Sequence, residues 1–187
     1  MLIENKTFRN EDFGSAIIRE GEYDRCSFNS CDLSEMDLSG LIFSDCIFNA
    51  CNLSNIKTNK TAFRNIQFKD CKMLGIRFDL CNEFGLSFTF ENCILNHSSF
   101  YKRKIRDTKF KNCSLRDIDL TLADLSGSIF GNSDLMNAAF ASSTLEKCDF
   151  RSALNYSIDP ELNKIKKAKF GKEGIEGLLN KYDIIIE

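Results

Sequence analysis

The sequence predicts an all-β fold, a solenoid of stacked five-residue units over residues 1–170, closed by a short helical cap over residues 171–187. Three observations carry this reading. A bulky apolar residue recurs at every fifth position, every cysteine falls at one phase of that period, and every phenylalanine except Phe84 falls at another. A period of five fits neither an α-helix, at about 3.6 residues per turn, nor a flat strand, at about 2. The repeat therefore has to be read before any helix or strand is assigned.

The centres run from Phe8 through Phe13, Ile18, Tyr23, Phe28 and Leu33 to Phe78, with Thr58 the polar exception. After a break the grid resumes two residues out of phase at Phe90. It continues to Phe150 and reappears at Ile165 and Phe170. Two positions before the centres stand small or compact residues, among them Ala16, Gly21, Cys26, Ser98, Ala123 and Ser128. The other positions are mostly Ser, Asn, Asp, Lys and Arg. Two inward residues, a centre and the one two before it, need a short extended piece, and the polar remainder needs a corner. Four such sides make a coil of about twenty residues, and coils stack as parallel strands at roughly 4.8 Å. Centres twenty residues apart then pile into columns, such as Phe28, Phe48, Phe68 and Phe88, and beyond the break Phe110, Phe130 and Phe150. About eight coils make a rod of about 40 Å with one continuous core.

The segments CDLSEMDLSG, CNLSN, DLTLADLSGSIFGNSDL and CDFRSALNYS resemble the A(D/N)LXX consensus of the pentapeptide repeat family, over about residues 6–170. The resemblance implies a right-handed quadrilateral parallel β-helix with Phe or Leu in its central columns. It is the source of the handedness and the square section.

The nine cysteines are read as small buried apolar residues. Stacking aligns Cys31, Cys51 and Cys71, Cys26 with Cys46, and Cys93 with Cys113. Adjacent coils come within disulfide reach. An odd number of buried thiols in a chain lacking a signal-peptide pattern nevertheless points to a reducing, cytoplasmic and bacterial setting. The chain has no CxxC pair and His97 is the sole histidine, so neither a metal site nor a cofactor is expected.

The break at 80–90 carries two extra residues in an apolar stretch, DLCNEFGLSFTF. Glu83 would fall on a buried centre in an unbroken grid, so a bulge is expected to turn it outward. Arg103 sits at the small-residue phase before Ile105 and is expected to be expelled or paired locally. Pro160 cannot donate a ladder hydrogen bond and marks an irregular corner. In the tail, Ile175, Leu178 and Leu179 are spaced as one face of a short helix over about 172–180. Gly174 and Gly177 weaken that helix, so it depends on packing. Ile184, Ile185 and Ile186 follow as a short apolar strand. The resemblance implies that Ile175, Leu178, Leu179, Ile184 and Ile186 join two copies into a homodimer; the plainer alternative is a cap over the last coil.

Formal net charge is −2, but residues 1–50 carry 4 basic and 10 acidic groups, residues 51–112 carry 12 and 5, and residues 113–150 carry 2 and 6. The rod therefore has acidic, basic and acidic bands. The densest basic run holds Lys102, Arg103, Lys104, Arg106 and Lys109. A rod filled by its own side chains offers no convergent catalytic site, and no membrane span or small-molecule substrate is expected. Asp32, Asp37, Asp119, Asp124 and Asp134, each just before a centre, read as corner formers rather than acid–base pairs. The leading reading is a non-enzymatic interaction protein. The resemblance supplies an alternative, a DNA-mimicking modulator of DNA gyrase or topoisomerase IV in quinolone or toxin protection; the basic middle band opposes it. A third reading is nucleic-acid contact through residues 102–111.

Overall fold

The computed structural model describes residues 1–13 and 21–185. The centre Ile18, the small residue Ala16 and the tail residue Ile186 lie outside this range. Each coil turns on a left-handed residue two places after a centre. Ser30, Asp45, Asn65, Asp70 and Asn112 all have φ of 52–53°. Asn and Asp tolerate this conformation better than most residues because their short side chains hydrogen-bond locally. On two faces the corner closes as a β-turn: the N–H of Met36 donates to Leu33 O, and that of Leu41 to Leu38 O, both at 3.1 Å. The left-handed residue stands third in the turn, as type II geometry requires. The aspartate before the centre ties the same corner. Asp32 accepts from the Ser34 N–H at 3.1 Å and Asp37 from the Ser39 N–H at 2.9 Å. Hydrogen bonds from those serines hold both carboxyls below their ordinary pKa.

One face pairs Leu2–Glu4, Glu22–Asp24, Ile42–Ser44 and Ala62–Arg64 as a four-stranded parallel sheet. The adjoining face is a nine-stranded parallel sheet running from Thr7–Arg9 to Lys169–Phe170. The other two faces are held by isolated parallel bridges, such as Asp32 with Asn52 and Ser99 with Asp119. On the nine-stranded face, Phe28, Phe48, Phe68, Phe90, Phe110, Phe130, Phe150 and Phe170 stack with ring centroids 4.5–5.3 Å apart. Phe90, not Phe88, continues this column above Phe68, which corrects the simple count of twenty. The two extra residues are absorbed before the strand, so register advances by two. Phe88 pairs with Ile66 and is buried beside the column.

All nine cysteines are buried. The alignment of Cys31, Cys51 and Cys71 runs on across the break to Cys93 and Cys113. The thiols of Cys51, Cys71 and Cys93 donate to Phe28 O, Phe48 O and Phe68 O in the coil beneath, at 3.3–3.4 Å. One coil beyond Cys113, the Ser133 hydroxyl makes the same bond to Phe110 O at 3.2 Å. A thiol here packs like an apolar residue while serving a buried carbonyl.

The ends depart from the grid. Asn10–Phe13 is a 3-10 turn rather than a further side of the first coil. Pro160 lies in a turn. Near it the buried centre moves one place, so that Tyr156 is inside and Asn155 exposed. The short helix expected at about 172–180 takes 3-10 form, in two segments at Lys172–Leu178 and Asn180–Tyr182. Close approach to Tyr156 explains the glycines there. A Cβ on Gly174 would lie 2.5 Å from Tyr156 Oη, and one on Gly177 would lie 2.2 Å from Tyr156 O. Ile184 and Ile185 belong to no strand. Among the described residues, no helix is long and apolar enough to cross a membrane.

Candidate functional site

Because the interior is filled by the columns, the groups available to a partner are those on the faces, the corners and the two ends. Open grooves of about 650 and 700 Å³ lie at the ends, one beside Met1 and Gly40 and the other beside Tyr156 and Gly177. The sole histidine, His97, is an exposed corner residue with φ +60°, its Nδ1 3.8 Å from Asp117. Among the described residues, no group of three His, Cys, Asp or Glu side chains is placed to hold a metal ion.

The basic run is divided by the geometry of the coil. Lys102 stands at a corner with its Nζ 4.9 Å from the Tyr101 ring centroid. Lys104 and Arg106 flank Ile105 on one face, and Lys109 is exposed on the nine-stranded face. Arg106 pairs with Asp124 at 2.6 Å. Arg103 is folded back, its side chain only 20% exposed, and donates to Asp79 O at 2.6 Å and to Glu83 at 3.4 Å. Arginine at a small-residue position is thus accommodated by local pairing. Acidic groups are similarly occupied: Asp134 pairs with Arg116, and Asp124 accepts from the Ser126 N–H at 3.1 Å.

The phase break forms a loop on the face that carries Phe63 and Ile105. Glu83 turns outward with its side chain 85% exposed, as its charge demands. Phe84 beside it is 76% exposed, while Leu86 is buried and bridges back to Arg64 in antiparallel sense. The Arg64 guanidinium lies 5.9 Å from the Phe84 ring centroid. Phe84 already stood out in the sequence as the one off-grid phenylalanine, but its Arg64 support left no trace there.

At the cap, Leu178 packs partly buried against the core, Leu179 is half-buried, and Ile175, Tyr182, Ile184 and Ile185 are exposed. Lys181 pins the segment, reaching Asp159 at 2.8 Å and Glu161 at 2.7 Å. Hydrogen bonding to Asp159 and then to Glu161 raises the Lys181 pKa.

The profile of the pentapeptide repeat region matches residues 22–89 and 86–157. The chain belongs to the pentapeptide repeat family. Solved pentapeptide repeat proteins share its architecture. A trypsin-treated form of QnrB1, described as a plasmid-mediated fluoroquinolone resistance protein, is similar at 17% identity with a TM-score of 0.66, covering 100% of this chain and 99% of that one. Full-length QnrB1 is similar at 16% identity and a TM-score of 0.56, over 98% and 100% of the two chains. HetL from the cyanobacterium Nostoc, described as involved in heterocyst differentiation regulation, gives 16% identity, a TM-score of 0.45 and coverage of 90% and 84%. No curated protein matches this pentapeptide repeat chain by sequence. At these identities the likeness to QnrB1 is one of fold, and it supports the β-helix read from the repeat.

Proposed function

We propose that this pentapeptide repeat protein is a non-enzymatic, cytoplasmic interaction protein that works as a homodimer joined at its C-terminal caps. The observation that carries the reading is where the exposed apolar surface lies. Exposed apolar side chains also occur along the rod, Phe84 and Ile129 among them, but at the cap four fall within one short segment: Ile175, Tyr182, Ile184 and Ile185 are 45%, 51%, 56% and 89% exposed. A cluster of this kind at one end of a rod fits burial against a second copy. The Asp side chains, tied into corners and ion pairs, support an architectural rather than an acid–base role for them.

A second reading, modulation of a type II topoisomerase, is favoured by the whole-length likeness to QnrB1. Against it stand Lys60, Lys102, Lys104 and Lys109 in the middle of the rod, which a basic DNA-binding groove would repel. The deciding experiment is a pull-down against purified gyrase and topoisomerase IV subunits, with a supercoiling assay at low and moderate salt. Dose-dependent inhibition or protection from a quinolone establishes the topoisomerase reading. The absence of binding at high micromolar protein removes it and leaves the interaction role with another partner.

A further inference from the structure

We propose that the phase break is a docking knob, in which Phe84, backed by Arg64 and with Leu80 and Leu122 on the adjacent corner column, enters an apolar pocket with an acidic rim on a protein partner. This rests on the interaction-protein reading and gives it a contact surface.

The first argument is cost. Every other phenylalanine lies on the repeat grid, whereas Phe84 is 76% exposed. The fold thus forgoes the stabilisation that burying such a ring would give. The second is preorganisation. Asn82 Oδ1 accepts from the Phe84 N–H at 2.9 Å. Gly85 takes φ +72°, and the Ser87 hydroxyl accepts from the Asn65 N–H at 2.8 Å and donates to Gly85 O at 3.3 Å. Arg64 supports the ring from the coil below, and Arg103 reaches Glu83 from the coil above. A loop held in this way loses little conformational freedom when a partner closes over it.

The third argument comes from the adjacent corner. Lys60, Leu80, Lys102 and Leu122 each lie two residues after the centres Thr58, Phe78, Phe100 and Leu120 of one face. Leu122 has φ +59° and is 43% exposed. A branched side chain in the left-handed region is strained and gains nothing from the core here. Leu80 is also 43% exposed. Around these apolar groups stand Lys60, Arg64, Lys102 and Lys104, while the charge of Glu83 is countered by Arg103. An exposed aromatic backed by an arginine matches the residue types enriched at interface centres. Charge complementarity makes the opposing surface acidic.

The test places the photoreactive residue p-benzoylphenylalanine at position 84, 122 or 129 of the full chain and irradiates each protein in an extract of its host cells. Ile129 is comparably exposed on the nine-stranded face and serves as control. The expected result is protein adducts from 84 and 122 but not 129, with an acidic cross-linked peptide. Phe84→Ser should lower the adduct yield at 122 by about tenfold or more, with melting unchanged. Adducts confined to 129 overturn this surface and leave the interaction reading standing. A failure at all three positions overturns the knob and leaves the dimer at the cap to its own test. Adducts to nucleic acid or to a basic peptide, or a yield at 122 indifferent to Phe84→Ser, overturn the knob.

Discussion

Cysteine and serine occupy equivalent places in one column, and that interchange has measurable consequences. Since the Ser133 hydroxyl serves Phe110 O as the Cys51 thiol serves Phe28 O, Cys51→Ser should change the melting temperature by only a few degrees. Cys51→Leu should cost about 1–3 kcal/mol by overpacking, read by denaturant unfolding. Burial pushes the Cys46 and Cys148 thiols up to about 12, against 9.0 in an open chain. Between those values the folded state keeps protons that the unfolded chain has lost. Their contribution to stability is therefore intact below about pH 9 and is lost as pH rises towards 12. Thermal melts from pH 8 to 11 should show the decline, and a Cys46→Ser, Cys148→Ser double variant should show a shallower one; equal slopes would remove the thiols as its cause.

At the scale of one element, the cap is the most exacting fit. A methyl group on Gly177 would press on Tyr156 O and its ring. Gly177→Ala should therefore lift the 172–182 segment at a cost of about 1–3 kcal/mol. Hydrogen exchange should rise there while the central coils stay protected; unchanged protection of the cap would refute the contact. In the central coils, Phe110 stacks between Phe90 and Phe130 at 5.1 and 5.0 Å. Phe110→Ala should cost about 3–5 kcal/mol. Phe110→Asp should cost more, because it buries an unpaired carboxylate; a retained cooperative melt at the native temperature would contradict the inward assignment.

For the whole molecule, a solenoid is stabilised coil by coil, so exposed ends determine how copies meet. Ile175→Asp combined with Ile184→Asp leaves the Tyr156 contact in place and places charge on the exposed apolar cluster. Light scattering should then report half the native mass. An unchanged dimer mass would move the interface away from the cap, and a native monomer would remove the dimer outright.

The five-residue period by itself determined the solenoid, the inward cysteines and the outward turn of Glu83, because each follows from alternating small and bulky residues with polar corners. Register across the break was decided only in three dimensions: two added residues could be taken up before or after the strand, and Phe88 and Phe90 are equally apolar. The same holds for the cap, where Gly174 and Gly177 read as helix breakers in one dimension and are contact surfaces for Tyr156 in the fold. Local pattern encodes which side of the chain faces in. Which residues from distant coils meet, as Arg64 and Phe84 or Arg103 and Glu83 do, depends on how the coils stack, and that is a property of the tertiary structure alone.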